Sequence, residues 1–359
     1  MLRRCCRPIC TLPASGRRLL GGRNGGDVRQ PQAGIRLVLG DAIRALPRPP
    51  EGDRHAPPVG RPAEGGGREA RARRPDSRSV RAAICCARSA FTVGVGAVAY
   101  TVTAVVETLE QMLEHHRLQN SLEDLSFQQL FSSSQQESPL PLPIEPNKLT
   151  DGQKAVLGII ALNVLVSVIW RIPRAEAFMY RWFTNSFASK SLCSPMLLSV
   201  FSHYSPIHLA LNMYVLYSFA PVSVDRFLGF HHFLAFFTTA GVVSSFTSLA
   251  HKWVVRSNVR ALGASGAICA ILAYTCMKIP EARLSIIFMP FFTFSAEQAI
   301  YGLIAFDLLG LLFRFRLFDH AAHLGGSLFG VFYAMYGEDW VRKYFHPFIT
   351  RACEWYYAQ

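Results

Sequence analysis

From about residue 89 onward the chain alternates long apolar runs with short polar loops. Seven of the runs read as transmembrane helices: about Ser89–Val106, Ala155–Trp170, Met196–Phe219, Phe233–Ala250, Ala261–Met277, Phe294–Phe313 and Ala321–Tyr336. Several fall short of the roughly 20 residues that a bilayer prefers. A further apolar stretch, Leu284–Phe292 with Pro290 inside it, either extends the sixth span or lies at the membrane interface. The pattern predicts an all-α polytopic membrane protein. Between the first two spans runs an amphiphilic, mostly acidic connector from Glu107 to Gln153, proline-rich over Ser138–Pro146.

Composition agrees with this pattern. Half of the 359 residues are hydrophobic and only 17% are charged, below the roughly one quarter usual for a soluble domain. The charge is concentrated at one end. Residues 1–90 hold 19 Arg, no Lys and 7 acidic residues, so the net +13 of the chain belongs almost wholly to that segment. The folded part therefore offers no basic surface for nucleic acid. Arg3, Arg4, Arg7, Arg17, Arg18 and Arg23 stand among apolar or small residues, and no acid precedes Asp27. This is the composition of a mitochondrial presequence, and it lacks the apolar core of a secretory signal. Residues 1–88 are thus expected to be a presequence and a disordered segment, with Gly65-Gly66-Gly67 arguing against a folded domain. A disordered basic tail, or one touching anionic lipid or nucleic acid, is the other reading. The nine cysteines have neither disulfide-framework nor zinc-ligand spacing.

Loop charges orient the spans. The connector carries eight acidic residues against Arg117 and Lys148. The loops after the second span, before the fifth and before the seventh carry the excess of Arg and Lys, as the N-terminus does. The positive loops fall on one side, and seven spans put the termini on opposite sides.

Four polar places interrupt the apolar helices. Gly263-Ala264-Ser265-Gly266 opens the fifth span and His320-Ala321-Ala322-His323 opens the seventh, from the same side of the bilayer. A serine hydroxyl becomes a nucleophile when a histidine takes its proton. The alternative is that Ser265 is a packing residue and His323 a cavity histidine bonded to a carbonyl. Gly326 and Gly330 form a close-approach motif on the seventh span. In the third span His208 and Asn212 share one helix face, which suits either a developing oxyanion or a bond between helices. Asp307, in the sixth span, is about 15 Å along the axis from Glu297, too far for a proton-sharing carboxylate pair, and is expected to bond a neighbouring helix. The four histidines 203, 208, 320 and 323 lack the accompanying glutamate of a zinc hydrolase, so neither metal nor organic cofactor is expected.

Gly263-Ala264-Ser265-Gly266, Ala322-His323-Leu324-Gly325-Gly326 with Gly330, and His208-x-x-x-Asn212 together resemble the rhomboid intramembrane serine proteases. Ser194–Leu198, Asn212–Leu216, Lys278–Glu281 and Phe318–His323 are similar to mitochondrial members of that family. The resemblance covers roughly Asp151 to Tyr336 and implies six core helices at 154–337 with one extra helix ahead of them at 89–106. The connector 107–153 lies between, and residues 338–359 form a tail. It further implies a Ser265–His323 dyad without an aspartate, an oxyanion site at His208 and Asn212, and helix packing at Gly263, Gly266, Gly326 and Gly330. The sixth span becomes the lateral gate by the same analogy. The implied location is the inner mitochondrial membrane, N-terminus in the matrix and C-terminus in the intermembrane space. Transmembrane helices of imported single-span proteins are the implied substrates, with lipid the other partner and no nucleic acid. The implied processes are quality control, mitophagy and apoptosis-related processing. A catalytically inactive relative that binds membrane helices, or a small transporter, are the rival readings.

Overall fold

The computed structural model describes residues 77–131, 149–187, 189, 191–286, 289–315 and 318–357; of the presequence and disordered segment expected over 1–88, residues 1–76 lie outside them, and residues 77–88 are helical. The first helix, α1 (Ser77–Phe131), contains the first predicted span and continues well past both of its ends, into the expected connector. Next come α2 (Asp151–Ile169), α3 (Glu176–Trp182), α4 (Ser194–Leu198) and α5 (Pro206–Ser223). The long α6 (Phe230–Val254) leads to α7 (Ser265–Lys278), a β-hairpin of β1 (Arg283–Ile286) and β2 (Met289–Ser295), and α8 (Ala296–Leu312). The chain then runs through α9 (His320–Phe332), α10 (Glu338–Trp340) and α11 (His346–Tyr357), joined by single π-helical turns at Tyr333–Gly337 and Val341–Phe345.

The helix starts are written locally. Thr150 and Ser295 close reciprocal capping boxes with Gln153 and Gln298 at the heads of α2 and α8. Ser205 caps α5, with Pro206 in the first turn where its missing N–H costs nothing. Asp319 caps α9 by accepting from the amide of Ala322.

Helix α7 sits at the centre, packed against α5, α6, α8 and α9. Its residues Gly266 through Ile271 are all buried, as expected of a helix that is apolar on every side. Toward the outside the pattern is reversed from that of a water-soluble protein. On α2, Leu157, Leu162, Val164, Leu165 and Val168 are exposed, while Asn163 and Ser167 are buried. Among the described residues, four helical stretches are long and apolar enough to cross a membrane: Ala82–Leu122, α2, Pro206–Leu228 and α6; α7 is a shorter apolar helix. The protein is thus a polytopic helical membrane protein.

Three expectations need correcting. The third predicted span is broken: after α4 and a 3-10 turn the chain is non-helical until Ser205, where Ser202 accepts from Trp170 Nε1 at 2.8 Å. The fifth begins at Ser265 and not at Ala261, because Ala261 pairs with Asn185 in a β-bridge. Leu284–Phe292 does not extend the sixth span as helix. It contributes to the antiparallel hairpin, in register Arg283↔Ser295 and Leu284↔Phe294, so the fold is not purely helical.

Candidate active site

The break before α7 shapes one wall of the site. Gly263 has φ +125°, a conformation L side chains rarely adopt, and a Cβ there would stand 2.8 Å from Cε1 of His208. Only glycine lets the chain lie this close to that ring. The next amide, Ala264 N–H, donates to Nε2 of His203 at 3.4 Å. Ser265 then opens α7, so its own N–H is among the first four of a helix, which have no intrahelical acceptor.

The opposite wall is α9. A Cβ on Gly326 would fall on the carbonyl of Gly266, and one on Gly330 on the carbonyl of Ala270. Gly266 is itself pressed against Ser244 of α6. These glycines let the two backbones approach until only hydrogens separate them. The consequence is the contact the site turns on. His323 Nε2 lies 2.8 Å from Ser265 Oγ, although 58 residues separate them in sequence.

The helix that carries His323 is anchored at its start. Asp319 Oδ2 receives Lys252 Nζ at 2.6 Å and Ser248 Oγ at 2.6 Å, while Oδ1 caps Ala322. Burial works against the charge of Asp319, but Lys252 and the hydrogen bonds from Lys252, Ser248 and Ala322 hold its carboxyl below the ordinary range. In the sequence Lys252 read only as one of the positive loop charges before the fifth span, and Ser248 lay unremarked inside the fourth.

The remaining polar residues are brought to the same place with unequal freedom. His208 faces Gly263, and its ring lies 5.0 Å from that of His203. Asn212 is buried and spends one amide hydrogen on the carbonyl of His208 at 2.9 Å, leaving one. Ser202 and Ser205 are engaged by Trp170 and by the cap of α5. Asp307 does bond a neighbouring helix, as its sequence position suggested: Oδ1 lies 2.8 Å from Nδ1 of His320 on α9. The same oxygen also stands 3.5 Å from Nδ1 of His323. Only its isolation as an ionisable group in an apolar helix signalled this in the sequence.

Residues 190–338 match the rhomboid domain family. Over 203 residues the chain is 51% identical to the human Presenilin-associated rhomboid-like protein, mitochondrial, covering 56% of this chain and 53% of that one. It is 48% identical over 201 residues to Presenilin-associated rhomboid-like protein A, mitochondrial, of Danio rerio, covering 56% and 52% of the two chains. To Rhomboid protein 1, mitochondrial, of Saccharomyces cerevisiae it is 28% identical over 209 residues, or 58% and 60%. The chain spans about half the length of the presenilin-associated relatives it matches.

Proposed function

We propose that this chain, whose residues 190–338 match the rhomboid domain family, is an intramembrane serine protease of the mitochondrion. The observation that carries the proposal is the 2.8 Å contact between Ser265 Oγ and His323 Nε2. His323 takes the proton of Ser265 as the hydroxyl oxygen bonds to a peptide carbonyl carbon. The peptide C–N bond then breaks, and the same proton passes from His323 to the departing amine. Water deacylates the serine by the same route in reverse, giving one proton to His323 as it attacks and returning Ser265 to its hydroxyl form. The Ser265 amide, the remaining hydrogen of Asn212 and the His208 ring are the donors proposed for the oxyanion. No step calls for a metal or organic cofactor.

The substrate class follows from where the serine stands. A transmembrane helix hides its carbonyls in its own hydrogen bonds, so it must unwind locally before attack. We place the cut in imported single-span proteins, near helix-weakening residues. The architecture we assign is one helix plus six in the inner membrane, N-terminus in the matrix. Contacts support this arrangement. His346 Nε2 on α11 meets Glu107 Oε2 on α1 at 2.9 Å, beyond the apolar part of α1 and so on the side opposite its start.

A fluorophosphonate probe on the purified protein tests the reading. Wild type should label, whereas Ser265→Ala should not, and Ser265→Ala and His323→Ala should both lose cleavage of a model transmembrane substrate by ~10³-fold or more. Equal labelling of wild type and Ser265→Ala would favour the inactive, helix-binding alternative.

A further inference from the structure

Among the described residues Asp307 is the carboxylate paired with His323, and it lies on neither dyad helix. It is fully buried on α8, and its Oδ2 has no hydrogen-bond partner among the described residues. A buried carboxylate left half-unsatisfied in an apolar bundle is costly, so its place calls for a reason. One reason is mechanical. His320 presses its ring against Gly310, where a Cβ would stand 2.5 Å from ring carbons, among Phe306, Phe315 and Phe318. With the 2.8 Å bond from its Nδ1 to Asp307 Oδ1, this pegs the start of α9 to α8.

The peg does not account for the second contact. His323 Nδ1 stands 3.5 Å from the same oxygen, while Nε2 of that ring meets Ser265. The three groups therefore lie in the order carboxylate, imidazole, hydroxyl. At 3.5 Å the first contact is too long for a good hydrogen bond at rest. It gains strength when the ring takes the serine proton and becomes a cation, because a charged donor draws a carboxylate to shorter range. The unpartnered Oδ2 gives Asp307 capacity to accept a second hydrogen bond without releasing His320.

Resting on the serine protease reading above, we infer that Asp307 is a positioning residue for His323. It holds the ring in the tautomer with hydrogen on Nδ1, so that the lone pair of Nε2 faces Ser265, and it steadies the imidazolium formed in the attack. His320 supplies the second anchor of the carboxylate, and Asp307 never touches substrate. Besides Asp307, the titratable groups around His323 are His320, His208 and His203, with the Asp319–Lys252 pair at the head of its helix.

The test uses the full chain in lipid nanodiscs, with cleavage kinetics and ¹⁵N spectra of labelled histidine. Asp307→Asn should lower kcat by ~10- to 100-fold with KM unchanged, and Asp307→Glu should recover most of the loss. The His323 spectrum should show the Nδ1–H tautomer in wild type and a mixture in Asp307→Asn. His320→Gln, which removes the peg but keeps the carboxylate, should retain the His323 tautomer. The inference falls if Asp307→Asn keeps the wild-type kcat, or if its kcat falls with no change in that tautomer. It falls also, whatever the variants do, if wild-type His323 carries its hydrogen on Nε2. Ser265→Ala run beside these separates the two readings: an active Ser265→Ala removes the nucleophile assignment, whereas an inactive one with a wild-type-like Asp307→Asn removes only the role of Asp307.

Discussion

At the scale of the residue, the site depends on what is missing as much as on what is present. Gly263 combines φ +125° with a position where a Cβ would meet the His208 ring at 2.8 Å. Gly263→Ala should therefore cost about 1–2 kcal/mol through the backbone alone. It should also displace His208 and lower kcat by ~10- to 100-fold, in line with the loss of an oxyanion donor. Thermal melting and cleavage kinetics on the same preparation check both parts. The sequence made Ser265, His323, His208 and Asn212 visible through motif spacing. It could not show that Asn212 spends a hydrogen on the His208 carbonyl. Nor could it show that Ser202 serves Trp170. Which of two acceptors a donor chooses is decided by distances of an ångström, and these arise from packing between helices.

At the scale of the element, the start of α9 is the critical piece, since a small rotation there moves His323 away from Ser265. Its cap, Asp319, is held below the ordinary aspartate range by Lys252, Ser248 and the Ala322 amide against the pull of burial. A lowered folded-state value means that the stability it contributes is fully present above the pH where an unfolded aspartate titrates, near ~4. That stability is lost as pH falls through the lower folded value. Asp319→Asn should thus reduce stability by ~3 kcal/mol near neutral pH, since it leaves the buried Lys252 ammonium unpaired. Melting curves of variant and wild type should converge as the pH is lowered into the acid range. A constant difference at all pH values would mean that Asp319 acts by shape alone. The glycines where α7 meets α9 work in the same direction: helix propensity disfavours Gly266, Gly326 and Gly330, yet each stands where a Cβ would strike a neighbouring helix.

At the scale of the molecule, α1 and α11 bracket the core. Thr108 meets Thr350 at 3.0 Å, Tyr100 stacks on Tyr333 at 5.9 Å, and Glu107 meets His346. At the same end of the bundle as α11, Glu338 gathers Lys278, Tyr274 and Arg342. The one-plus-six topology predicts that Cys86, near the start of α1, and Cys353, on α11, lie on opposite sides of the membrane. A membrane-impermeant maleimide applied to mitoplasts should label Cys353 and spare Cys86, measured on variants that retain one of the two. Labelling of both from one side would remove that topology.

The sequence by itself determined the class of molecule, because apolar run length and loop charge are local quantities that a bilayer reads directly. Apolar runs and the four polar interruptions within them were legible without coordinates. It also marked the candidates for chemistry, since an ionisable group in an apolar helix is conspicuous. What it could not determine is which of these groups meet. Ser265 and His323 lie 58 residues apart, and their 2.8 Å contact exists only because Gly326 and Gly330 admit the backbone of α7. Likewise Asp307 was excluded from a carboxylate pair along its own helix, and only the packing of α8 against α9 placed it beside His320 and His323. Spacing along a chain sets distances within one helix, whereas distances between helices are set by how their side chains, and the gaps among them, fit.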